Sequence, residues 1–314
     1  MHDYSSHKVI EKTKKRSSKT LLFGFIALTI AVFPIYAVFS NSFKKTENKN
    51  VDLGKNILPI GNKVSKEQLL DSIQKITDKS GGTYSFYTYD YNSKEGFGIN
   101  EKMTITAASV NKIAILASLY FLAEKKEVDL EKIIILQSED IQDYGSGSIR
   151  YDPTGTPYSL KTLARLMMEK SDNTASYILG NVTIGLDKIQ SLIDGWGLTQ
   201  TNMVENKTSA YDMSILMGKI YKGEIVRKAL TDEMLTFMDK SDFDDRIPKG
   251  LPEKTLYYHK TGDDVGKIHD VAIIQLPKRI YYLGVFSTDI TNEETAKNNI
   301  ADISKMVYEY ENRL

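Results

Sequence analysis

Apolar residues recur at helical spacing from Ser65 onward (Leu69, Leu70, Ile73 and Ile76), behind a Ser65/Gln68 pair of capping-box type. This pattern predicts a helix that Gly81-Gly82 stops. The next segment, TYSFYTYDY, alternates aromatic with smaller or polar residues and predicts a strand, with a second short strand around Phe97 to Ile99 pairing with it. From Ile105 to Leu122 the chain is apolar and Ala-rich, as a buried helix would be. Ser159 to Lys170 reads as an amphipathic helix, and helical pattern covers Leu186 to Ile193, Ala210 to Tyr221 and Ala229 to Met238. Strand pattern returns at Leu256 to Lys260, Asp270 to Leu276 and Ile280 to Phe286. A last amphipathic helix, Glu293 to Asn312, carries Ile300, Ile303, Met306 and Val307 on one face. Strands at both ends with helices between predict an α/β (α+β) fold. Its antiparallel sheet is closed by sequence-distant strands, flanked by helices, and interrupted by an all-helical subdomain.

The N-terminal pattern differs. Residues 21–39 carry no charge and span about one hydrocarbon thickness if helical. A basic tail, residues 1–20, precedes them with Lys8, Lys12, Lys14, Lys15, Arg16 and Lys19. The positive-inside rule then keeps the tail cytoplasmic and sends the rest outward. A cleaved signal is the rival, with Val38 and Ser40 as small-residue cleavage positions. Either reading puts the working domain outside the cytoplasm, membrane-anchored or secreted. Residues 40–64, polar and without periodicity, read as a linker, and 65–314 as the catalytic domain.

Composition narrows the chemistry. The chain has 314 residues, 41% hydrophobic, which is enough for a sizeable core. Its formal net charge is zero and no basic stripe lies beyond the N-terminus, so nucleic acid is not an expected partner. Without cysteine there is no disulfide framework or thiolate metal site. The four histidines (His2, His7, His259 and His269) lack metalloprotease spacing, so neither metal nor cofactor is expected.

Three short words carry the candidate chemistry: Ser109-Val-Asn-Lys112, Ser171-Asp172-Asn173 and Lys260-Thr261-Gly262. Each alone is weak, since Ser-x-x-Lys also begins at Ser5, Ser42 and Ser72. Ser109 at a helix start would have N–H groups and a dipole suited to an oxyanion. Lys112, three residues on, shares its helical face. In an otherwise apolar helix, burial beside other cations would leave it a neutral amine able to take the serine proton. The alternative is a helix cap beside an exposed charge. Ser171 could pass a proton onward while the Asn173 amide holds Lys112 and a substrate amide; alternatively these residues form an N-cap cluster. On Lys260-Thr261-Gly262, Lys260 would tune Ser171, and Thr261 would offer its hydroxyl to a carboxylate. Gly262 would let substrate lie along an edge strand, unless the word merely marks a strand-to-turn boundary. The Asp263 N–H could complete an oxyanion hole with that of Ser109.

With these words in this order, and MMEKSDNTASYILG around the second, the sequence resembles the penicillin-recognising serine enzymes, specifically class A β-lactamases, from about residue 65 to the C-terminus. The resemblance implies Ser109 as the acylated nucleophile, Lys112 as its general base and Ser171 as proton relay. It further implies Asn173 as a ligand of the substrate amide, and Lys260 with Thr261 as ligands of the substrate carboxylate. Tyr144 stands where the family often has an aromatic wall. Two departures are visible. The family's Ω-loop Glu-x-x-Leu-Asn motif is missing between Asn173 and Lys260, where Glu205 is the acidic candidate. Where many members have an arginine beyond Lys-Thr-Gly, this chain offers His269, whose charge would depend on pH. The expected function is opening of a β-lactam through a Ser109 acyl-enzyme, with slow deacylation. The alternatives are a penicillin-binding or D,D-peptidase-like enzyme on D-Ala-D-Ala-like peptides, and a non-catalytic cell-wall or partner-binding domain.

Overall fold

Ser65 caps the first helix as its spacing predicts: its Oγ accepts from the Gln68 N–H at 3.3 Å, and Gln68 Oε1 accepts from the Ser65 N–H at 2.9 Å. The structure is a computed structural model that describes residues 64–314. The basic tail, the apolar 21–39 segment and nearly all of the 40–64 linker therefore lie outside the described residues.

Helix α1 (Lys66–Ser80) leads into β1 (Thr83–Asp90) and β2 (Glu95–Ile99), which pair antiparallel. Strand β3 (Ile105–Thr106) and a 3₁₀ turn (Ala108–Asn111) precede α2 (Lys112–Glu124). The apolar run from Ile105 is thus not one helix. Its first residues pair with β6 (Lys207–Thr208), and the helix begins at Lys112. A short β4 (Ile133–Ile135) and β5 (Pro157–Ser159) pair ahead of α3 (Leu160–Glu169), which Ser159 caps by accepting from the Thr162 N–H. There follow α4 (Asn173–Tyr177), a π-helical stretch (Ile178–Ile184), α5 (Leu186–Gly195), α6 (Ala210–Tyr221) and α7 (Lys228–Asp239). The chain closes with β7 (Leu256–Asp264), β8 (Lys267–Leu276), β9 (Arg279–Thr288) and α8 (Glu293–Glu311).

The main sheet runs in the order β2-β1-β9-β8-β7, all antiparallel, so the first and last strands of the sequence lie side by side. Alternation along β9 sorts its side chains between two cores. Tyr281, Leu283 and Val285 face the layer of α1 and α8, while Tyr282 and Phe286 face the helical subdomain. Inside that subdomain α2 is buried on every side from Lys112 to Tyr120 and shows no amphipathic stripe. That is the sign of a central helix. Each buried Ile or Leu there stabilises the fold by about 1.5–3 kcal/mol, and the one lysine has to be compensated by polar partners. Among the described residues, no helix is long and apolar enough to cross a membrane.

Candidate active site

The turn before α2 places Ser109 at the N-terminal end of a buried helix, half-buried at the floor of a cleft of about 620 Å³. Ala108 enters this turn with φ 49°, a left-handed conformation that costs an alanine on the order of 1 kcal/mol. The segment is braced from the side. The Ala107 N–H donates to the Asn206 carbonyl at 2.8 Å, and Asn111 Nδ2 donates to Asn206 Oδ1 at 3.0 Å.

Lys112 is 5% exposed, and its Nζ reaches four oxygens: Ser109 Oγ at 3.0 Å, Ser171 O at 2.6 Å, Asn173 Oδ1 at 2.7 Å and Ser171 Oγ at 3.2 Å. Burial first, and then the charge of Lys260, hold its pKa well below the ordinary lysine value, against the pull of Asp172. Lys260 Nζ approaches the same Ser171 hydroxyl from the other side, at 3.1 Å, and donates to the Thr261 carbonyl at 3.0 Å. Burial lowers its pKa to about 8, with Asp270 and Asp263 opposing. Ser171 has φ 52°, which lets one residue turn both its carbonyl and its hydroxyl toward Lys112. The three words therefore converge on one hydrogen-bonded chain, Ser109–Lys112–Ser171–Lys260.

Asp172, read from sequence only as part of a cap cluster, does more than cap. Its Oδ1 accepts from the Ala175 N–H at 2.9 Å, while Oδ2 accepts from the N–H groups of Ser148 at 2.7 Å and Ile149 at 2.9 Å. The Asn173 N–H donates to Ser146 O, and its Nδ2 donates to Tyr144 O at 3.0 Å. The loop bearing Tyr144 is thereby clamped onto the second word, and Tyr144, 64% exposed, stands at the cleft wall. Gly145 permits this approach: its φ is 64°, and a Cβ there would come within 2.5 Å of Asn173 Nδ2.

Strand β7 continues through Asp264, so Lys260-Thr261-Gly262 sits within a strand at the sheet edge and not at a strand-to-turn boundary. A Cβ on Gly262 would meet the Ala107 carbonyl at 2.9 Å and Val110 Cγ2 at 3.0 Å. Its bareness is needed on the interior side, where the strand packs against the Ser109 turn. Asp263 lines the cleft together with Ser109, Lys112, Asn173 and Tyr144, whereas Lys260 and Thr261 are buried beside it.

His269 is not a substrate ligand in this arrangement. It is fully buried on β8 opposite Gly262, with its ring 4.8 Å from that of Phe286. Nε2 donates to the Thr106 carbonyl at 2.9 Å, which makes Nδ1 the acceptor of the Ser287 N–H at 3.2 Å. Burial drops its pKa to about 4, so it is a neutral brace under the Ser109 turn. The basic side chain that does approach this end is Arg246, which donates to the His269 carbonyl at 2.8 Å and pairs with Asp263. Sequence reasoning missed it, because an arginine among Asp242, Asp244 and Asp245 looks like one more solvated charge.

Glu205 also lies apart from the chemistry. It pairs with Lys207 at 2.6 Å and faces a separate depression with Gln190 and Asn202. From its segment it is Met203 and Asn206 that line the cleft, and neither can take a proton from water. Among the described residues, no cluster of three or more His, Asp or Glu side chains could hold a metal ion.

A model of the β-lactamase enzyme family matches residues 68–311. The chain resembles the solved structure of PBP-A at 25% identity and a TM-score of 0.74, covering 78% of this chain and 96% of that one. A mutant of PBP-A, solved as an acyl-enzyme complex with penicillin G, is 24% identical with a TM-score of 0.74, covering 82% and 100%. An ancestral class A β-lactamase shares the fold at 19% identity and a TM-score of 0.73, covering 77% and 99%. No curated protein matches.

Proposed function

Since the chain belongs to the β-lactamase enzyme family, serine hydrolases of amide bonds, we propose that it opens β-lactams through an acyl-enzyme on Ser109 that turns over slowly. The observation that carries the reading is the place of Lys112, whose Nζ lies 3.0 Å from the Ser109 hydroxyl while burial and the neighbouring Lys260 hold its pKa well below the ordinary lysine value and so favour an uncharged amine. Lys112 takes the Ser109 proton as Oγ attacks the lactam carbonyl. The N–H groups of Ser109 and Asp263 receive the oxyanion, and the strand–turn packing at Gly262 keeps the two segments together. As the C–N bond breaks, the departing nitrogen receives a proton from the Ser171 hydroxyl, which Lys112 replenishes with the proton taken from Ser109 while the charge of Lys260 polarises that hydroxyl. Asn173 holds the acyl amide, and Tyr144 walls the cleft. Deacylation then needs a base for water. Met203 and Asn206, the residues that their segment turns into the cleft, offer none, and this supports a long-lived adduct.

A fluorescent penicillin tests both halves. It should label the native chain, spare Ser109→Ala, and leave the protein only slowly; fast loss of label would refute the slow step. Label that never leaves would instead support the penicillin-binding, D,D-peptidase-like reading. No label on wild type would leave a non-catalytic binding domain.

We further propose that residues 21–39 tether this domain outside the cytoplasm, a reading supported by their apolar run behind a basic tail. Recovery of the full chain in a carbonate-washed membrane fraction supports it, and recovery in the soluble fraction contradicts it.

A further inference from the structure

Arg246 is 1% exposed and packed against acidic and carbonyl groups of the protein. Nη2 lies 2.7 and 2.8 Å from the two carboxylate oxygens of Asp263, Nη1 donates to the His269 carbonyl at 2.8 Å, and Nε lies 3.2 Å from Asp245 Oδ1. Asp263 and Thr261 are two apart on β7, so their side chains share one face of the strand. Thr261 is only 2% exposed, whereas the Asp263 side chain is 44% exposed and lines the cleft. What the cleft meets at this end is therefore a carboxylate with an arginine behind it.

We propose that Asp263 is a specificity-determining residue, an internal carboxylate that occupies Arg246 and so steers the site toward acyl donors without a carboxylate beside the scissile amide. The inference rests on the reading of Ser109 as the nucleophile. The other charges support it. Asp264 and Glu293 also line the cleft, Asp264 with Lys267 at 3.2 Å, and like charges oppose an incoming anion. Lys112, the cation among the described lining residues, is committed to its four oxygens, and Lys260 is buried beneath Ser171 and Thr261. A guanidinium that is 1% exposed, with the Asp263 carboxylate on its Nη2 between it and the cleft, does not reach a second carboxylate.

The test compares acylation rate constants of the full chain for a penicillin and for the same penicillin as its neutral methyl ester. For wild type, acid and ester should acylate within about threefold of each other, because no free arginine rewards the anion. Asp263→Asn frees Arg246 and should shift the ratio toward the acid by about tenfold or more. The double variant Asp263→Asn/Arg246→Gln should return it to the wild-type ratio. A wild-type preference for the acid of about a hundredfold would overturn the inference whether or not the variants fold. So would an unchanged ratio in Asp263→Asn, or a double variant that keeps the gain. Adducts on Ser109 in any of these cases leave the nucleophile standing. No adduct from either compound on wild type takes both readings down.

Discussion

Lys112 and Ser171 meet twice: the lysine Nζ lies 2.6 Å from the serine carbonyl oxygen and 3.2 Å from its hydroxyl. The left-handed backbone at Ser171 makes the double contact possible and ties the second sequence word to the first. With Asn173 and Ser109 added, the amine has oxygen partners in place of the water it lost on burial, and it stays 3.0 Å from the Ser109 hydroxyl.

Removing that amine should therefore cost far more than removing a surface lysine. Lys112→Ala is expected to slow Ser109 acylation by about 10²–10⁴-fold, the usual contribution of a positioned base. Stopped-flow labelling with a fluorescent penicillin measures it, and wild-type speed in the variant would remove Lys112 from the mechanism.

The rate of acylation should rise and then fall with pH. It rises as Lys112, held low by burial and by Lys260, gives up its proton. It falls above about 8 as Lys260 loses the charge that polarises Ser171. The two amines share one hydroxyl, so the limbs belong to the pair. A single rise that continues to the pH of a solvated lysine would contradict this assignment.

The two buried histidines should pull stability in opposite directions. Burial works against protonation of His259, but Asp270 at 3.0 Å and Asp244 at 3.2 Å prevail and raise its pKa to about 9. The folded state then holds the extra proton, so this stabilisation is complete below about 6.5 and is lost as pH rises through 9. His269, lowered by burial to about 4, does the reverse: its stabilisation is present above about 6.5 and lost as pH falls through 4. Denaturant unfolding of wild type against His259→Gln and His269→Gln should show differences of on the order of 2 kcal/mol that disappear at the alkaline and the acid end respectively. Differences independent of pH would refute both assignments.

Asp172→Ala should lower stability by about 2–4 kcal/mol, because three backbone N–H groups at Ser148, Ile149 and Ala175 lose a buried charged acceptor together. It should also slow acylation, since Tyr144 and Asn173 are positioned through the same clamp. Urea melts and labelling rates check the two effects. Unchanged labelling would make Asp172 a residue of stability alone.

Much of this was legible in the sequence, for reasons of short range. The cap at Ser65, aromatic alternation in β1 and the apolar stripe of α8 are local patterns, and the structure repeats them almost residue for residue. The antiparallel sheet with an inserted helical subdomain followed from where the strand patterns lay. The break at Ile105 was not legible, because a two-residue strand and a 3₁₀ turn in an Ala-rich run carry no period of their own. Nor was the exchange of His269 for Arg246. Which of two basic residues approaches a strand from sequence-distant positions is settled by packing: the β8–β9 pairing buries His269, and the loop before β7 delivers Arg246 to Asp263. Glu205 failed for a similar reason, since a turn beside β6 directs it away from the cleft and turns Met203 and Asn206 inward.

The central claim is that Ser109 is acylated and then released slowly, and intact mass spectrometry of the full chain after a pulse of penicillin reads it directly. The expected result is one adduct of the mass of the whole penicillin, mapped by peptide digestion to Ser109, forming fast and persisting long after free drug is removed. A protein mass that never changes, or an adduct mapped to any other residue, would contradict the account.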